Sequence, residues 1–492
     1  MIRWIHRYLG IALGPMFVVW FASGIAMMYA RGMPGLTPEA RLQHLPPLDL
    51  ARVGMTPAEA VARGGFDIDF NRVVLLTVMD RPAYRFTGRE PATIFADTGD
   101  RLVELGPAGA LRIAGKFMNL PEEAFQYVGL LNEPDLWTID QREQTPLHKI
   151  TVDDEARTQL YVSAKIGEIV ALTTRRSRAL AWVGAIPHWL YFTPLRLNEP
   201  LWTGIVLWIS GLSTIVALAG ILLGIIQYIR STVPYSGWMR WHYRSGILFG
   251  IFTFTWVFSG MLSMLDWASG GKTGDGIPQA LSGGPVNLSA FRAMDADAWK
   301  RVLEQRAPKE IAFVRIQGDP YYLVYGVEDK PLLVSANPAQ ASENLFHLDE
   351  QTPLEVRREP FSVESLMSRV QQATPNTPIL ESTLLSQYDS YYYSNDGSRP
   401  LPVLRVKFGD PDRTWFYIDP RMSRVAIRYT RLGRIDRWIY HGFHSLDFSF
   451  WYYNRPLWQF GIITLSVGCI FCSSIGLVIG IQRVVRYFKR AS

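Results

Sequence analysis

Four histidines recur at two fixed offsets, and their chemistry is the most informative feature of the chain. His242 follows His6 by 236 residues, and His444 follows His188 by 256. Neutral imidazole is a common iron ligand, and two opposed imidazoles form the axial pair of a b-type haem. The sequence has no C-x-x-C-H motif for covalent attachment. The four histidines therefore predict one or two non-covalent haem b groups, with iron held by His6, His242, His188 and His444.

These histidines lie in or beside four apolar stretches that are each long enough to cross a bilayer. The stretches cover residues 8–30, 201–229, 245–265 and 456–482, and an uncharged run of about 20 residues is the length of a membrane span. Residues around the first and third stretches match at the 236 offset, and those around the second and fourth match at 256. The predicted fold class is membrane α-helical plus α+β, with four transmembrane helices in two tandem repeats.

Basic residues flank one end of each stretch and predict the orientation of the protein in the bilayer. Arg3 and Arg7 precede the first stretch, Arg240 and Arg244 precede the third, and residues 483–490 carry four more. The positive-inside rule then places both termini in the cytoplasm. The net charge of +6 is largely explained by these flanks, so the predicted partner is the lipid bilayer and not a nucleic acid. The predicted division is a helix at 1–30, an extracytoplasmic block at 31–200, a helix at 201–229, a cytoplasmic link at 230–244, a helix at 245–265, a second extracytoplasmic block at 266–455, a helix at 456–482 and a cytoplasmic tail at 483–492.

Two tandem repeats of the same topology are expected to face each other across an axis normal to the membrane. His6 would then meet His242 near the cytoplasmic face. Glycines follow each of them at four and eight residues, on the same helical face, and leave room for a flat macrocycle. Such glycines are equally typical of closely packed membrane helices. The candidate cofactor-binding residues beside this pair are Gly10, Gly14, Gly246 and Gly250, with Arg3, Arg7, Arg240 and Arg244 as partners for haem propionates.

The second predicted pair, His188 and His444, would meet near the extracytoplasmic face. Pro194 and Pro200 separate His188 from the second span, so this histidine is expected on a short segment of its own. His441 lies three residues before His444 and is an alternative ligand. The remaining histidines have no repeat counterparts and are predicted to be surface residues: His44, His148 and His347.

The polar blocks between the spans are predicted to contain small α+β units. Helical patterns at 56–63, 121–128, 295–305 and 363–372 each precede runs that alternate apolar and polar residues, which is typical of antiparallel strands. The two blocks also match each other at offsets that increase from 238 to 256. This increase predicts about eighteen extra residues in the second block, near 336–353.

Several of these residues resemble a known family. The segment 417–420 reads Tyr-Ile-Asp-Pro, and with the tyrosine-rich run 387–393 it is similar to PepSY domains. The opening Trp-Ile-His-Arg-Tyr-Leu-Gly at 4–10 is similar to the first helix of PepSY-associated transmembrane proteins, which include iron-regulated membrane proteins and bacterial ferric-siderophore reductases. The resemblance implies a bacterial inner-membrane protein with two periplasmic blocks of PepSY-like units. It also implies that a ferric chelate accepts electrons on the periplasmic side.

Two functions follow from the sequence. The first is a haem-dependent ferric or ferric-siderophore reductase that passes electrons across the membrane. No dinucleotide or flavin domain is visible, so its donor would be a quinol or a separate cytoplasmic reductase. The second is a membrane-anchored binding or regulatory protein without redox activity, whose PepSY-like units contact a peptidase or another envelope protein. The first predicts a coloured protein, whereas the second places no constraint on the positions of the histidines.

Overall fold

The computed structural model of the protein describes residues 1–30, 32–64, 70–89, 91–230, 234–268, 272–336, 354–394 and 396–491. The predicted insertion at 336–353 falls almost wholly outside these residues, as does His347. Within the described ranges the α-helices are α1 Ile2–Ala30, α2 Pro38–His44, α3 Pro57–Gly64, α4 Pro107–Met118, α5 Arg175–Val183, α6 Ala185–Trp189, α7 Thr193–Arg196, α8 Glu199–Ile229, α9 Gly237–Leu262, α10 Ile277–Ser282, α11 Ala296–Val302, α12 Val363–Ala373, α13 Arg431–Arg437, α14 Ser449–Tyr452 and α15 Arg455–Ala491. A π-helical turn covers Trp438–His444.

The strands belong to three antiparallel sheets. They are β1 Phe70–Val78, β2 Arg81–Gly88, β3 Ala92–Phe95, β4 Phe125–Leu131, β5 Leu147–Val152, β6 Gln159–Ser163, β7 Glu168–Thr173, β8 Glu310–Ile316, β9 Asp319–Tyr325, β10 Leu332–Ser335, β11 Glu355–Arg357, β12 Ile379–Leu385, β13 Val403–Phe408, β14 Trp415–Asp419 and β15 Arg424–Tyr429. Seven form one sheet in the order β11-β10-β9-β8-β1-β2-β3, four form a sheet in the order β4-β5-β6-β7, and four form a sheet in the order β12-β13-β14-β15.

Four of the helices, α1, α8, α9 and α15, are long and apolar enough to cross a membrane, so the protein is a multi-pass membrane protein. α1 begins at Ile2, in agreement with the predicted helix at 1–30 although its apolar stretch begins only at residue 8, and α9 begins at Gly237, before the predicted start at 245. Hydropathy marks only the part of a helix in the hydrocarbon, whereas the hydrogen-bonded helix continues into the interface. His6 and His242 consequently lie inside helices and not before them.

The four long helices form a bundle in which each has two main neighbours. α1 packs against α8 and α15, and α9 packs against the same two helices. α1 and α9 therefore lie opposite each other across the bundle core. The core contains large apolar side chains from all four helices, among them Phe17, Phe21, Trp256 and Ile462. This arrangement directs the matching faces of α1 and α9 toward one another.

The two polar blocks, which the sequence separates, are joined in the structure. β1 of the first block pairs with β8 of the second, and the register centres on Val74 opposite Ala312. Apolar side chains from both blocks then share two core clusters: Val74 and Leu76 pack with Ile277, Leu404 and others in one, and Val73 and Leu75 pack with Ile311, Phe313 and others in the second. Long-range pairing of two strands is not encoded in the alternation of either one.

One predicted helix is wrong. Residues 121–128 form a short 3₁₀ turn, Glu122–Ala124, followed by β4. The helix of this unit is α4, which begins with Pro107 in its first turn and buries Ala110, Ala114 and Phe117. The alternating burial along β4 shows why the segment is a strand, because every second side chain faces the core.

A buried ion-pair network also joins the two blocks. Glu168 at the start of β7 pairs with Arg85 of β2 and with Arg41 of α2. Arg41 in turn lies 2.7 Å from Glu310 of β8, which also pairs with Arg72 at 2.7 Å. Burial alone would raise the pKa of Glu168, but Arg85 and Arg41 outweigh it and lower the pKa. The carboxylate is thus ionised, and its charge is compensated.

Replacing Glu168 with glutamine should destabilise this sheet region strongly. Arg41 would keep Glu310 as a partner, but the buried Arg85 would lose its carboxylate, and breaking such a buried pair costs about 3 kcal/mol or more. Hydrogen exchange of the β2 and β7 amides should accelerate about 100-fold. The exposed Glu104, changed to glutamine, is the matched control. The pKa of Glu168 is lowered in the folded state. The stabilisation of the fold by the ionised carboxylate is therefore fully present above the ordinary carboxyl pKa and is lost as the pH falls through the lowered pKa. Unchanged exchange in the Glu168→Gln protein would contradict the prediction.

Candidate functional site

The first of two histidine pairs lies between α1 and α9. The imidazole rings of His6 and His242 have centroids 6.1 Å apart and planes tilted by 31°. Nδ1 of His6 lies 3.0 Å from the carbonyl oxygen of Val216 on α8, and Nδ1 of His242 lies 3.1 Å from that of Cys472 on α15. A carbonyl oxygen can only accept, so Nδ1 donates its proton in both rings. Nε2 is therefore the nitrogen of each ring that carries a free lone pair.

Two glycines that the sequence interpretation missed hold these rings in place. A Cβ atom on Gly220 would lie 2.7 Å from Cε1 of His6, and one on Gly476 would lie 2.9 Å from Cε1 of His242. Both distances are too short for a carbon–carbon contact, so each ring packs directly on helix backbone. Gly220 and Gly476 are separated by the same 256 residues as His188 and His444. That shared offset is the signal that could have identified them.

The second pair lies at the other end of the same two helices. His188 is on the short helix α6, and His444 ends the π-helical turn. Their ring centroids are 6.2 Å apart, with planes tilted by 75°. The prediction that His188 sits on its own short segment is thus in agreement with the structure.

Two serines of α1 and α9 orient the second pair. Nδ1 of His188 lies 3.1 Å from Oγ of Ser23, and Nδ1 of His444 lies 3.0 Å from Oγ of Ser259. Each serine hydroxyl donates to the carbonyl oxygen of the tryptophan three residues earlier, at 3.1 Å, so it accepts from the imidazole. Nδ1 again carries the proton, and Nε2 again has the free lone pair. A Cβ added to Gly24 or Gly260, the next residues along, would lie 3.6 Å from Cε1 of His188 or 3.4 Å from Cε1 of His444.

The second pair is neutral at physiological pH. Burial lowers the pKa of His188 to about 4, and burial together with the nearby His188 lowers the pKa of His444 to about 4. A neutral imidazole offers a lone pair to a metal, whereas the imidazolium cation does not.

The distance between the ring centroids of each pair can be compared with the distance expected when two imidazoles bind one metal. Metal–imidazole bonds of about 2 Å on each side would place the ring centroids of such ligands roughly 6 Å apart. The observed distances are 6.1 and 6.2 Å. Each pair offers two protein ligands, which is the number that an iron porphyrin leaves to the protein in a bis-histidine site.

A cavity of about 930 Å³ surrounds the second pair. Its walls include His188, His444, Trp20, Trp256, Gly24 and Gly260, together with polar groups at its rim. Ligand pockets in proteins commonly have volumes of roughly 300–1,000 Å³ and mostly apolar walls. The cavity therefore has the size and lining of a cofactor site.

The glycines predicted beside the first pair lie at contacts between helices, and the predicted arginines lie at the surface. Added Cβ atoms on Gly10 and Gly246 would lie 3.8 and 3.9 Å from Val216 and Cys472, the residues that accept from the two rings. Those on Gly14 and Gly250 would lie 3.4 Å from apolar side chains of α15 and α8. All four glycines thus occur where helices pack closely. The predicted arginines Arg3, Arg7, Arg240 and Arg244 are exposed at this end of the bundle.

Three further histidines lie apart from the pairs. His441 is exposed, and its ring contacts Tyr440 at 5.2 Å. His44 is exposed and stacks on Phe117 at 4.6 Å, as expected for a surface residue. The prediction of a surface position is wrong for His148, which lies on β5 and is buried. Its Nδ1 forms a hydrogen bond of 3.0 Å with the hydroxyl of Tyr127. It satisfies local polar groups in the core of its sheet.

The fold is that of a multi-pass helical membrane protein whose remaining parts are α+β, with antiparallel sheets outside the helix bundle. The family model described as the PepSY-associated TM region matches residues 3–479. The chain therefore belongs to the PepSY-associated transmembrane family. A search of the curated proteins finds no match to it.

Proposed function

We propose that the protein is a haem-containing oxidoreductase of the bacterial inner membrane that binds haem b at each histidine pair. It would pass electrons across the membrane to a ferric chelate in the periplasm. The observation that carries the proposal is the presence of two histidine pairs, with ring centroids 6.1 and 6.2 Å apart, one near each end of α1 and α9. Bundle cores are common places for such cofactors.

The chain's own residues fit the cofactor in three ways. In every ring a backbone or serine oxygen engages Nδ1, so Nε2 is left to bind iron. Backbone glycines let the rings approach the neighbouring helices. The walls around the second pair are mostly apolar and aromatic. Bound haem would supply a one-electron ferric/ferrous couple at each pair.

The separation of the pairs favours two cofactors over one. His6 and Gly24 lie on α1 eighteen residues apart, as do His242 and Gly260 on α9. This corresponds to about 27 Å along the helix axis, most of a hydrocarbon layer that is roughly 30 Å thick. A cofactor at one end alone would leave most of this distance without a redox group. The side chains of Phe21 and Trp256, with ring centroids 5.8 Å apart, belong to the apolar core of the bundle.

The proposed orientation rests on the basic residues that flank the helices, and the proposed reaction balances a two-electron donor against one-electron acceptors. The basic flanks favour cytoplasmic termini, so the sheets and the second pair would face the periplasm. A quinol gives up two electrons and two protons, and each electron reduces one Fe(III) chelate to Fe(II). A separate cytoplasmic reductase is the other donor class. Ferrous iron binds hard oxygen chelators less tightly, so reduction would release it for uptake.

An absorption experiment tests the proposal. Protein purified in mild detergent from haem-replete cells should show a Soret band and sharp α and β bands after reduction with dithionite. Quantified haem should approach two per chain. One haem per chain would restrict the proposal to a single pair, and colourless protein would overturn it.

One observation favours the alternative of a binding or regulatory protein. β4 and β12 are open edges of their four-stranded sheets, and both carry exposed apolar side chains: Val128, Leu130, Leu380 and Leu384. Such edges accept an added strand from a partner. A peptidase or another envelope protein could be held there. Colourless protein that retains a partner through these edges would support this function in place of the first.

A further inference from the structure

The cavity around His188 and His444 contains an arginine with unused donors. Nε and Nη1 of Arg196 are buried and have no hydrogen-bond acceptor among the described residues. The side chain is 17% exposed, and the Glu199 oxygen with which it pairs lies 3.8 Å from Nη1, beyond hydrogen-bond distance. A buried donor without an acceptor is costly. The N–H groups of these two nitrogens are therefore available to an acceptor that enters the cavity.

Aromatic stacking fixes the position of this guanidinium. Its central carbon lies 4.6 Å from the ring centroid of Trp202 and 5.5 Å from that of Tyr191. Tyr191 is held in turn by Asp140, which accepts from its hydroxyl at 2.7 Å, and Trp202 donates to the carbonyl of Trp189 at 2.8 Å. A planar guanidinium stacked in this way presents a rigid fork of donors.

The geometry points to a carboxylate as the ligand of Arg196, and we propose that this carboxylate is a propionate of haem at the His188–His444 pair. The inference rests on the proposed function. A fork of N–H donors matches the two oxygens of a carboxylate. Trp256 lines the same cavity, and its Nε1 is likewise buried with no acceptor among the residues that the structure describes. Arg196 was not among the arginines expected to bind propionates, because those precede the other pair.

A carboxylate of the ferric chelate has the same chemistry, so the test must separate the two sources. The arms are wild-type protein and Arg196→Gln, each loaded with haem b or with haem dimethyl ester, in which both propionates are esterified. The rate of haem loss to a haem scavenger is measured. The matched control is Arg455→Gln. Arg455 stacks on Trp458 at 4.7 Å in the same manner, but it is not among the residues that line the cavity.

For haem b, Arg196→Gln should accelerate one of the two phases of haem loss about tenfold or more, because charge-assisted hydrogen bonds are lost. For the dimethyl ester the acceleration should be much smaller, because the ester carbonyl still accepts a hydrogen bond but carries no charge, and Arg455→Gln should match the wild type with both forms of haem. Equal acceleration with the ester would reduce Arg196 to a structural role and overturn the proposal. Unchanged haem loss, with weaker binding of a carboxylate-bearing ferric chelate, would assign the carboxylate to the substrate instead. Colourless wild-type protein would overturn the proposed function itself.

Discussion

Replacing His444 with alanine is expected to remove one haem and leave the other in place. Its ring faces His188 at 6.2 Å, so the substitution would leave that iron with a single protein ligand. Replacing His242 should remove the haem at the opposite end, because its ring faces His6 at 6.1 Å. Haem per chain, measured as the pyridine complex, should fall from about two to about one in each variant and to almost none in the double variant.

His441 provides the control for this experiment. It lies three residues from His444 in the same π-helical turn, but its side chain is exposed and contacts Tyr440. His441→Ala should retain both haems. If His441→Ala lost a haem while His444→Ala kept it, the ligand assignment at this end would be wrong. The two single variants should also lose different haems, which can be distinguished by their reduction potentials.

The sequence alone predicts the membrane part of the fold well, because lipid imposes a simple rule. A span must be apolar for about 20 residues, and each of the four apolar stretches overlaps one of the four long helices. The polar blocks are harder to predict. The local composition at 121–128 resembles that of a helix, but the segment that becomes β4 alternates in burial once it is part of its sheet. The strand is therefore favoured by contacts within the sheet and not by the local sequence. The pairing of β1 with β8 depends on contacts distant in sequence, and neither strand specifies its partner.

The candidate site was predictable to the extent that it repeats. The offsets of 236 and 256 identify His6, His242, His188 and His444, and the structure places them as two pairs. The two-repeat layout remains a prediction, supported by contacts that recur at these offsets. Gly220 and Gly476 were missed because glycine in an apolar helix is typical of helix packing in general. Their role becomes visible only when each is seen against an imidazole from another helix.

Replacing Gly220 with alanine is expected to weaken haem binding at the first pair without unfolding the bundle. The added Cβ would lie 2.7 Å from Cε1 of His6, so the ring must move away from α8. It would then lose its hydrogen bond to Val216, 3.0 Å long, and its position opposite His242. Loss of such an orienting contact typically reduces metal affinity about 10- to 100-fold. Haem loss should accelerate by a similar factor at this pair only.

Gly204 is the matched control, since it lies on the same helix and a Cβ added there would meet nothing within 4 Å. Alanine is a better helix former than glycine by roughly 1 kcal/mol, so neither substitution should destabilise α8 itself. Gly204→Ala should therefore retain haem like the wild type. Gly476→Ala, with its Cβ 2.9 Å from Cε1 of His242, should reproduce the defect from the other side of the pair. Normal haem retention in both Gly220→Ala and Gly476→Ala would show that the rings do not need this close packing to bind iron.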